Sequence, residues 1–494
     1  MDETTAPELI PQSGSKTVQD HIDEVPIWPD GTRLLSAPMT GMQWLIWALA
    51  AAGKFFEGFV VFMTGVALPL VSSEFGIGAA EHGVISAASL FGILVGAVGL
   101  GGLSDHFGRK PMFVAEMIIF VIFLVLLCFC TNYIEVVVCL LGLGLSLGCD
   151  YPTAHMIISE NISSTNRGKL VLGAFAFQAV GALAGTAVGY LVLSTLPELS
   201  AWRWMYASAI IPAVLVTVGR FYIVESANWL FAKGEMEKAE RATKQLLVRK
   251  PQYPTDIKLA TADARVAGGH SNQSYASLFN SVNRRATILA SVPWFLQDLG
   301  TYGIGIFTPT ILAAAVGANS DHARSIADLI MNDIIAAKGA ALITTLLIVG
   351  IIFAVMLTDI VGRIRLQVLG FIGCAAGLLL ASVSQSFTDG TQTLLIFAGF
   401  MLFNFMTNLG PNAQTYLLAG EVFPTAIRGK GAGFAAAFAK IGAVLTAFLF
   451  PILLDTIGTQ ALLYGLIATS ILGAIVTWAF RIETTGVKLD RLAQ

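Results

Sequence analysis

Charge is what this sequence has least of. Lysine, arginine, aspartate and glutamate make up 12 % of its 494 residues, against about 25 % in a soluble domain. The shortfall excludes a soluble globular protein. It also argues against an enzyme, because no stretch has the composition of a catalytic unit folded in water. The net charge of −3 gives a nucleic-acid partner no electrostatic support. Cysteine is scarce as well: Cys128, Cys130, Cys139, Cys149 and Cys374 all lie in apolar stretches. The spacing of Cys128 and Cys130 does not make a CxxC site, so these thiols read as core packing rather than disulfides or metal ligands. The first residues, MDETTAPELIPQSGS, are polar and acidic. No apolar run follows a basic start, so this is not a signal peptide, and the expectation is a tail that stays in the cytosol. Nothing in the sequence asks for a cofactor or a metal.

What is present is apolar, and it comes in long runs. Hydrophobic residues are 55 % of the chain and its mean hydropathy is +0.73. Roughly 20 apolar residues cross a bilayer as a helix. Twelve such segments are predicted, near 44–70, 83–103, 112–130, 134–158, 170–193, 204–224, 287–314, 336–357, 365–385, 392–417, 432–454 and 460–480. The polar stretch 225–286 divides them six and six. The predicted fold class is an all-α membrane protein of twelve transmembrane helices in two six-helix halves. Its expected domains are a cytosolic tail 1–43, a half 44–224, a cytosolic central loop 225–286, a half 287–481 and a cytosolic tail 482–494. Arg109, Lys110, Arg167, Lys169, Arg363, Arg365, Arg428 and Lys430 fall in alternate loops, and the central loop holds many more. Basic loops are retained in the cytosol, which places both termini there. The insert 317–338, with Arg324 and Lys338, runs against this pattern.

The polar residues inside the apolar segments carry the chemistry. A charge at the bilayer centre costs about 2.5–3.5 kcal/mol, so such residues face a cavity, an ion path or a partner. The candidates are Glu57 in the first segment, Asp150 in the fourth, Asp298 in the seventh and Lys440 in the eleventh. Glu57 follows Lys54 by three residues, which puts both on one helical face. Lys54 is then either a simple intrahelical partner or the neighbour of a proton site. Pro152 loosens the turn around Asp150 and Tyr151, and His155 one turn on is either a proton relay or a hydrogen-bonded packing residue. Gln178 can both donate and accept. Asn404, Asn408 and Asn412 recur every four residues, as interhelical glue or a cavity lining, and Asn412 follows Gly410-Pro411, where freed backbone groups favour a cavity. Lys440 needs a carboxylate partner or an anionic ligand, and Asp298 and Glu57 are the obvious partners. Trp294, Asp298 and Tyr302 stand at i, i+4 and i+8, on one stripe of a helix.

GGLSDHFGRK follows the second segment and MLTDIVGRIR follows the eighth. This repeat makes the halves look like copies of one unit, which resembles the major facilitator superfamily. The first copy resembles that superfamily's signature loop, G-x-L-a-D-r-x-G-R-[RK], through Gly102, Leu103, Asp105, Gly108, Arg109 and Lys110. The resemblance implies a loop that latches the halves on the cytosolic side. VESANWLFAKG, GEVFPTAIRG and IETTG are similar to loops of the sugar-porter branches.

The membrane core also resembles the phosphate:proton symporter family. GCDYPTAHMIISE is similar to its G-G-D-Y-P-L-S-a-x-i-x-S-E segment, PWFLQDLGTYGIG to its W-F-x-x-D-x-x-x-Y-G-x-G segment, and GPNAQTYLLAGEVFPTAIRG and AKIGA to its corresponding segments. The resemblance implies phosphate-binding residues at Tyr151, Gln178, Trp294, Asp298, Tyr302 and Asn412, proton-path acids at Asp150 and Glu57, and a buried cation at Lys440. EGFVVF stands where that family has D-x-Y-D-L-F, and Thr153 and His155 replace its Leu and Ala. The expected function is proton-coupled symport of a small anion, phosphate first, by a monomer in the plasma (inner) membrane. The alternative is an organic acid, a sugar or another small organic solute.

Overall fold

Long apolar runs become long helices in the computed structural model, which describes residues 16–25, 38–100, 103–164, 167–248, 257–259, 275–317, 326–387, 390–424 and 427–484. The first half contains α1 (Gly41–Phe75), α2 (Ala79–Val95), α3 (Arg109–Leu127), α4 (Tyr133–Asn161), α5 (Arg167–Thr195) and α6 (Ala201–Phe221). The second contains α7 (Arg284–Gly317), α8 (Ile326–Val361), α9 (Arg363–Val383) and α10 (Gly390–Glu421). The helical stretch Arg428–Ala479 follows. It turns at Gly458 (φ 79°, ψ 168°), which makes it two helices, α11 (428–457) and α12 (459–479).

Among the described residues, ten helices are long and apolar enough to cross a membrane by themselves. The turn at Gly458 makes the tenth of these into two. The remaining predicted span is α7, which carries Ser291, Gln297, Asp298, Thr301 and Tyr302. α8 starts ten residues before the predicted 336, inside the polar insert, whose residues 318–325 lie outside the described ones.

The third helix of each three-helix unit shows its apolar side chains outward. Exposed residues include Ile119 and Ile122 on α3, Ile211 and Leu215 on α6, Leu369 and Ile372 on α9, and Ile475 and Trp478 on α12. Exposed apolar bands of this size would be a liability in water and are the natural face toward lipid tails. The halves meet along α1–α7, α2–α11 and α5–α8. Contact there is at backbone distance. A Cβ on Gly65 of α1 would lie 2.1 Å from the Ile306 carbonyl oxygen of α7, and one on Gly83 of α2 would lie 2.3 Å from that of Phe448 on α11.

Within the first half, α1 and α5 cross on glycines. A Cβ at Gly181 would lie 1.9 Å from the Phe55 carbonyl oxygen, and one at Gly58 would lie 2.0 Å from that of Gln178. Small residues allow this approach, and dispersion contacts follow from it. Gly181→Val therefore has to push two membrane helices apart, and overpacking costs about 1–3 kcal/mol. The expected result is a thermal midpoint several degrees lower in detergent, with conservative changes at exposed Ile211 as the control.

The repeated loop folds the same way twice. Gly108 (φ 105°) and Gly362 (φ 97°) precede α3 and α9 in a backbone region open to glycine. In each case an acid from the stretch after the half's last helix caps the new helix: Arg109 N–H donates to Glu225 Oε1 at 3.0 Å, and Arg363 N–H to Glu483 Oε1 at 3.2 Å. A Cβ on either glycine would press on that acid. Arg109 pairs with Glu160 at the end of α4 (3.1 Å), and Arg363 with Glu421 at the end of α10 (3.1 Å). A hydroxyl completes each knot, Ser226 to Glu160 and Thr484 to Glu421. Sequence repetition has thus become structural repetition.

Part of the amino-terminal tail is ordered against the first half. Val18–Asp23 forms a short helix with a Thr17/Asp20 capping box, and Val18 and Ile22 are buried at i, i+4. Asp23 accepts from the Ser164 backbone N–H at 2.7 Å, in the connection between α4 and α5.

Candidate functional site

Three helices bring charge to one point between the halves, and a fourth adds an amide. α1 supplies Lys54 and Glu57 from adjacent turns, α7 supplies Asp298 and Tyr302, α11 supplies Lys440, and α5 supplies Gln178. The Glu57 carboxylate is the hub. Its Oε2 accepts from Lys54 Nζ at 2.7 Å, and its Oε1 accepts from Lys440 Nζ at 3.2 Å and Gln178 Nε2 at 3.2 Å. Lys440 also donates to the Tyr302 hydroxyl at 2.6 Å. That hydroxyl accepts from Gln178 at 3.1 Å and donates to Glu57 at 3.4 Å. The pair that the sequence offered for Lys440 is thus divided: Glu57 is in contact, while the nearest Asp298 oxygen, Oδ2, stands 3.9 Å away.

Asp298 is only 2 % exposed, and its Oδ2 has no hydrogen-bond partner among the described residues. Burying a charged oxygen without a partner is costly. Two ammonium groups and two carboxylates make the cluster neutral when all four are ionised. Beside it lies a cavity of about 20 Å³ lined by Phe62, Gln178, Thr301, Tyr302, Asn408 and Asn412, among others, with room for about one water. α10, predicted as one continuous segment, breaks at Gly410 (φ −110°, ψ −97°) before Pro411. Asn412 there donates to Asn408 Oδ1 at 2.6 Å, and Asn408 donates to the Leu347 carbonyl of α8 at 2.8 Å. The asparagine stripe is glue and lining at once.

Residues 46–494 match the family described as Sugar (and other) transporter. The chain belongs to this family, within the major facilitator superfamily. The Escherichia coli inner membrane metabolite transport protein YgcS is 28 % identical, over 92 % of this chain and 95 % of its own length. The Oryza sativa subsp. japonica protein named Probable inorganic phosphate transporter 1-12 is also 28 % identical, over 84 % of this chain and 82 % of its own. In fold, the inward open conformation of the xylose transporter XylE from E. coli superposes with a TM-score of 0.73 at 20 % identity, covering 91 % of this chain and 99 % of that one. The protein is an integral, multi-pass membrane transporter of twelve helices.

The transporter's remaining candidate residues lie at some distance from the hub. Trp294 is buried one turn toward the amino-terminal end of α7, edge-on to Tyr416 of α10, with ring centroids 6.1 Å apart. It shares the stripe of Asp298 and Tyr302 but faces an aromatic neighbour. Gly102 lies outside the described residues, as do the side chains of Asp105 and Tyr151. Lys110 contributes its backbone N–H, which donates to Glu225 at 3.1 Å.

Asp150 belongs to a second buried cluster. Arg220 of α6 donates to Asp150 Oδ1 at 2.6 Å, to Glu116 Oε1 of α3 at 2.9 Å and to the Phe113 carbonyl at 2.6 Å. Its guanidinium also lies 3.5 Å from the Phe113 ring centroid. Arg220 is fully buried. Gly53 makes room for the acid, since a Cβ there would lie 1.8 Å from Asp150 Oδ2. Sequence reasoning passed over Arg220 and Glu116, although each interrupts an apolar run. Two carboxylates against one guanidinium leave an excess negative charge in the transporter unless one acid holds a proton. Arg220→Met strands both acids, which costs about 3–5 kcal/mol in a buried site, and is expected to remove folded protein from the membrane. Adding Glu116→Gln should recover part of it, measured as the monodisperse yield in detergent.

Proposed function

We propose that the chain is a secondary active transporter that takes up a small anion with protons, inorganic phosphate first, by alternating access between its halves. The observation that carries this is Asp298 Oδ2, buried with no hydrogen-bond partner among the described residues and 3.9 Å from the Lys440 ammonium, in a cluster that is neutral when fully ionised. A monoanion entering such a site would leave it negative, and one proton on Asp298 restores neutrality. Lys440, Gln178, Tyr302 and Asn412 supply the donors, and Asp298 accepts from a P–OH or carries the proton itself. Trp294 and Tyr151 complete the binding set that the family resemblance implies, and Glu57 and Asp150 with Asp298 the proton-coupling set. The loop at Asp105, Gly108, Arg109 and Lys110 acts as the cytosolic latch. The likeness to a phosphate transporter by name supports the same substrate. The basic loops support cytosolic termini in a plasma (inner) membrane, and a monomer suffices because the site lies within one chain.

A sugar or organic acid is the second reading. It draws on the family's description and on the amides of Asn408 and Asn412 in the cavity, which suit hydroxyl groups. Proteoliposomes given a pH gradient, acid outside, should accumulate radiolabelled phosphate, with arsenate competing. Uptake blocked by sugars or carboxylates while phosphate is inert would decide for the second reading.

A further inference from the structure

Glu57 has a second side. Lys440 holds Oε1 and Lys54 holds Oε2, at 3.2 and 2.7 Å, so one carboxylate stands as a wall between two ammonium groups. Beyond Lys54 lies another small cavity, of about 10 Å³, lined by Lys54, His155, Phe175 and Tyr416 together with small and aliphatic side chains. It is nearer the cytosolic ends of α1, α4 and α10 than the hub is. Its three polar groups are a cation, an imidazole and a phenol, and it has no acid of its own. Tyr416 closes it from the other half of the protein: its ring stacks on Phe175 of α5 with centroids 4.5 Å apart, and its hydroxyl lies 3.1 Å from His155 Nδ1 of α4. Those are contacts between the halves, so they must part when the cytosolic side opens. Parting them widens the cavity along the way out from Glu57.

We propose that Lys54 and His155 form an inner oxyanion subsite, lidded by Tyr416, through which the transported anion passes between the central site and the cytosol. The proposal rests on the anion reading above. The substrate exchanges Lys440 for Lys54 by moving past Glu57, so neither ammonium is left facing a bare cavity. His155 supplies an N–H donor that the resembling phosphate segment, with alanine at that place, lacks. Two cationic or donor groups here favour an oxyanion over a neutral sugar on the cytosolic face.

The test is phosphate self-exchange in proteoliposomes of fixed orientation, at equal pH on both sides, with phosphate varied on one face at a time. Loss of a charge-assisted hydrogen bond weakens binding roughly tenfold or more. His155→Ala and Lys54→Gln should therefore each raise the ratio of the cytosolic to the outer half-saturation concentration about tenfold. An unchanged ratio in His155→Ala, the milder variant, overturns the subsite while leaving the anion reading standing. Equal weakening on both faces overturns it too, because that is the signature of a structural role. Wild-type protein that exchanges no phosphate from either face overturns the anion reading and the subsite together.

Discussion

Lys440→Met is expected to end transport and to weaken anion binding by roughly 10- to 100-fold, the effect of losing hydrogen bonds to a charged group worth about 1.5–3 kcal/mol. Lys440 donates to Glu57 and Tyr302 at 3.2 and 2.6 Å and stands 3.9 Å from Asp298. Without it, Lys54 alone faces two carboxylates, and an unmatched buried charge destabilises by about 3–5 kcal/mol. Low yield by itself would therefore be ambiguous. The double variant Lys440→Met/Asp298→Asn removes one charge of each sign and restores neutrality, so it should recover folded protein without recovering binding. Isothermal titration of purified protein with phosphate makes the distinction. A double variant that binds phosphate as tightly as the wild type would remove Lys440 from the site.

The way the sequence resolves into structure follows from what kind of information each feature needs. Helix number, the split into halves and the repeat are local or periodic, so they are legible. The break of α10 at Gly410 is not expected from the sequence, although Gly410-Pro411 reads as freeing backbone groups. Lys54 with Glu57 is legible because both sit on one helix three residues apart, and Lys440 with Glu57 because a buried ammonium must find an acid. α7 is legible as well, predicted at 287–314 and found at Arg284–Gly317, although it carries polar site residues. Arg220 with Glu116 and Asp150 joins three helices over sequence separations of 104 and 70 residues, and nothing local pairs them. Ordering of Val18–Asp23 depends on a surface offered by the α4–α5 connection, which a polar, acidic tail does not announce. The 20 Å³ central cavity is a property of packing between halves, so its shape has no counterpart in residue spacing.

Asp298→Asn should separate anion movement from proton movement. Asn is nearly the same size and keeps an oxygen in the site, so a fold that needs only shape and polarity at this position survives. What disappears is the group able to gain and lose a proton. Glu57 then stands alone against Lys54 and Lys440, and the cluster carries a positive charge in the empty state. An anion neutralises that charge without bringing a proton. The expected outcome is loss of accumulation under a pH gradient with retention of phosphate self-exchange at equal pH, where no proton need cross. The comparison is made on the same proteoliposome preparation, with the amount of protein fixed by immunoblot. Loss of folded protein would make Asp298 a structural acid. Undiminished accumulation would move the coupling elsewhere, and the Arg220 cluster, with two acids on one guanidinium, is where it would move.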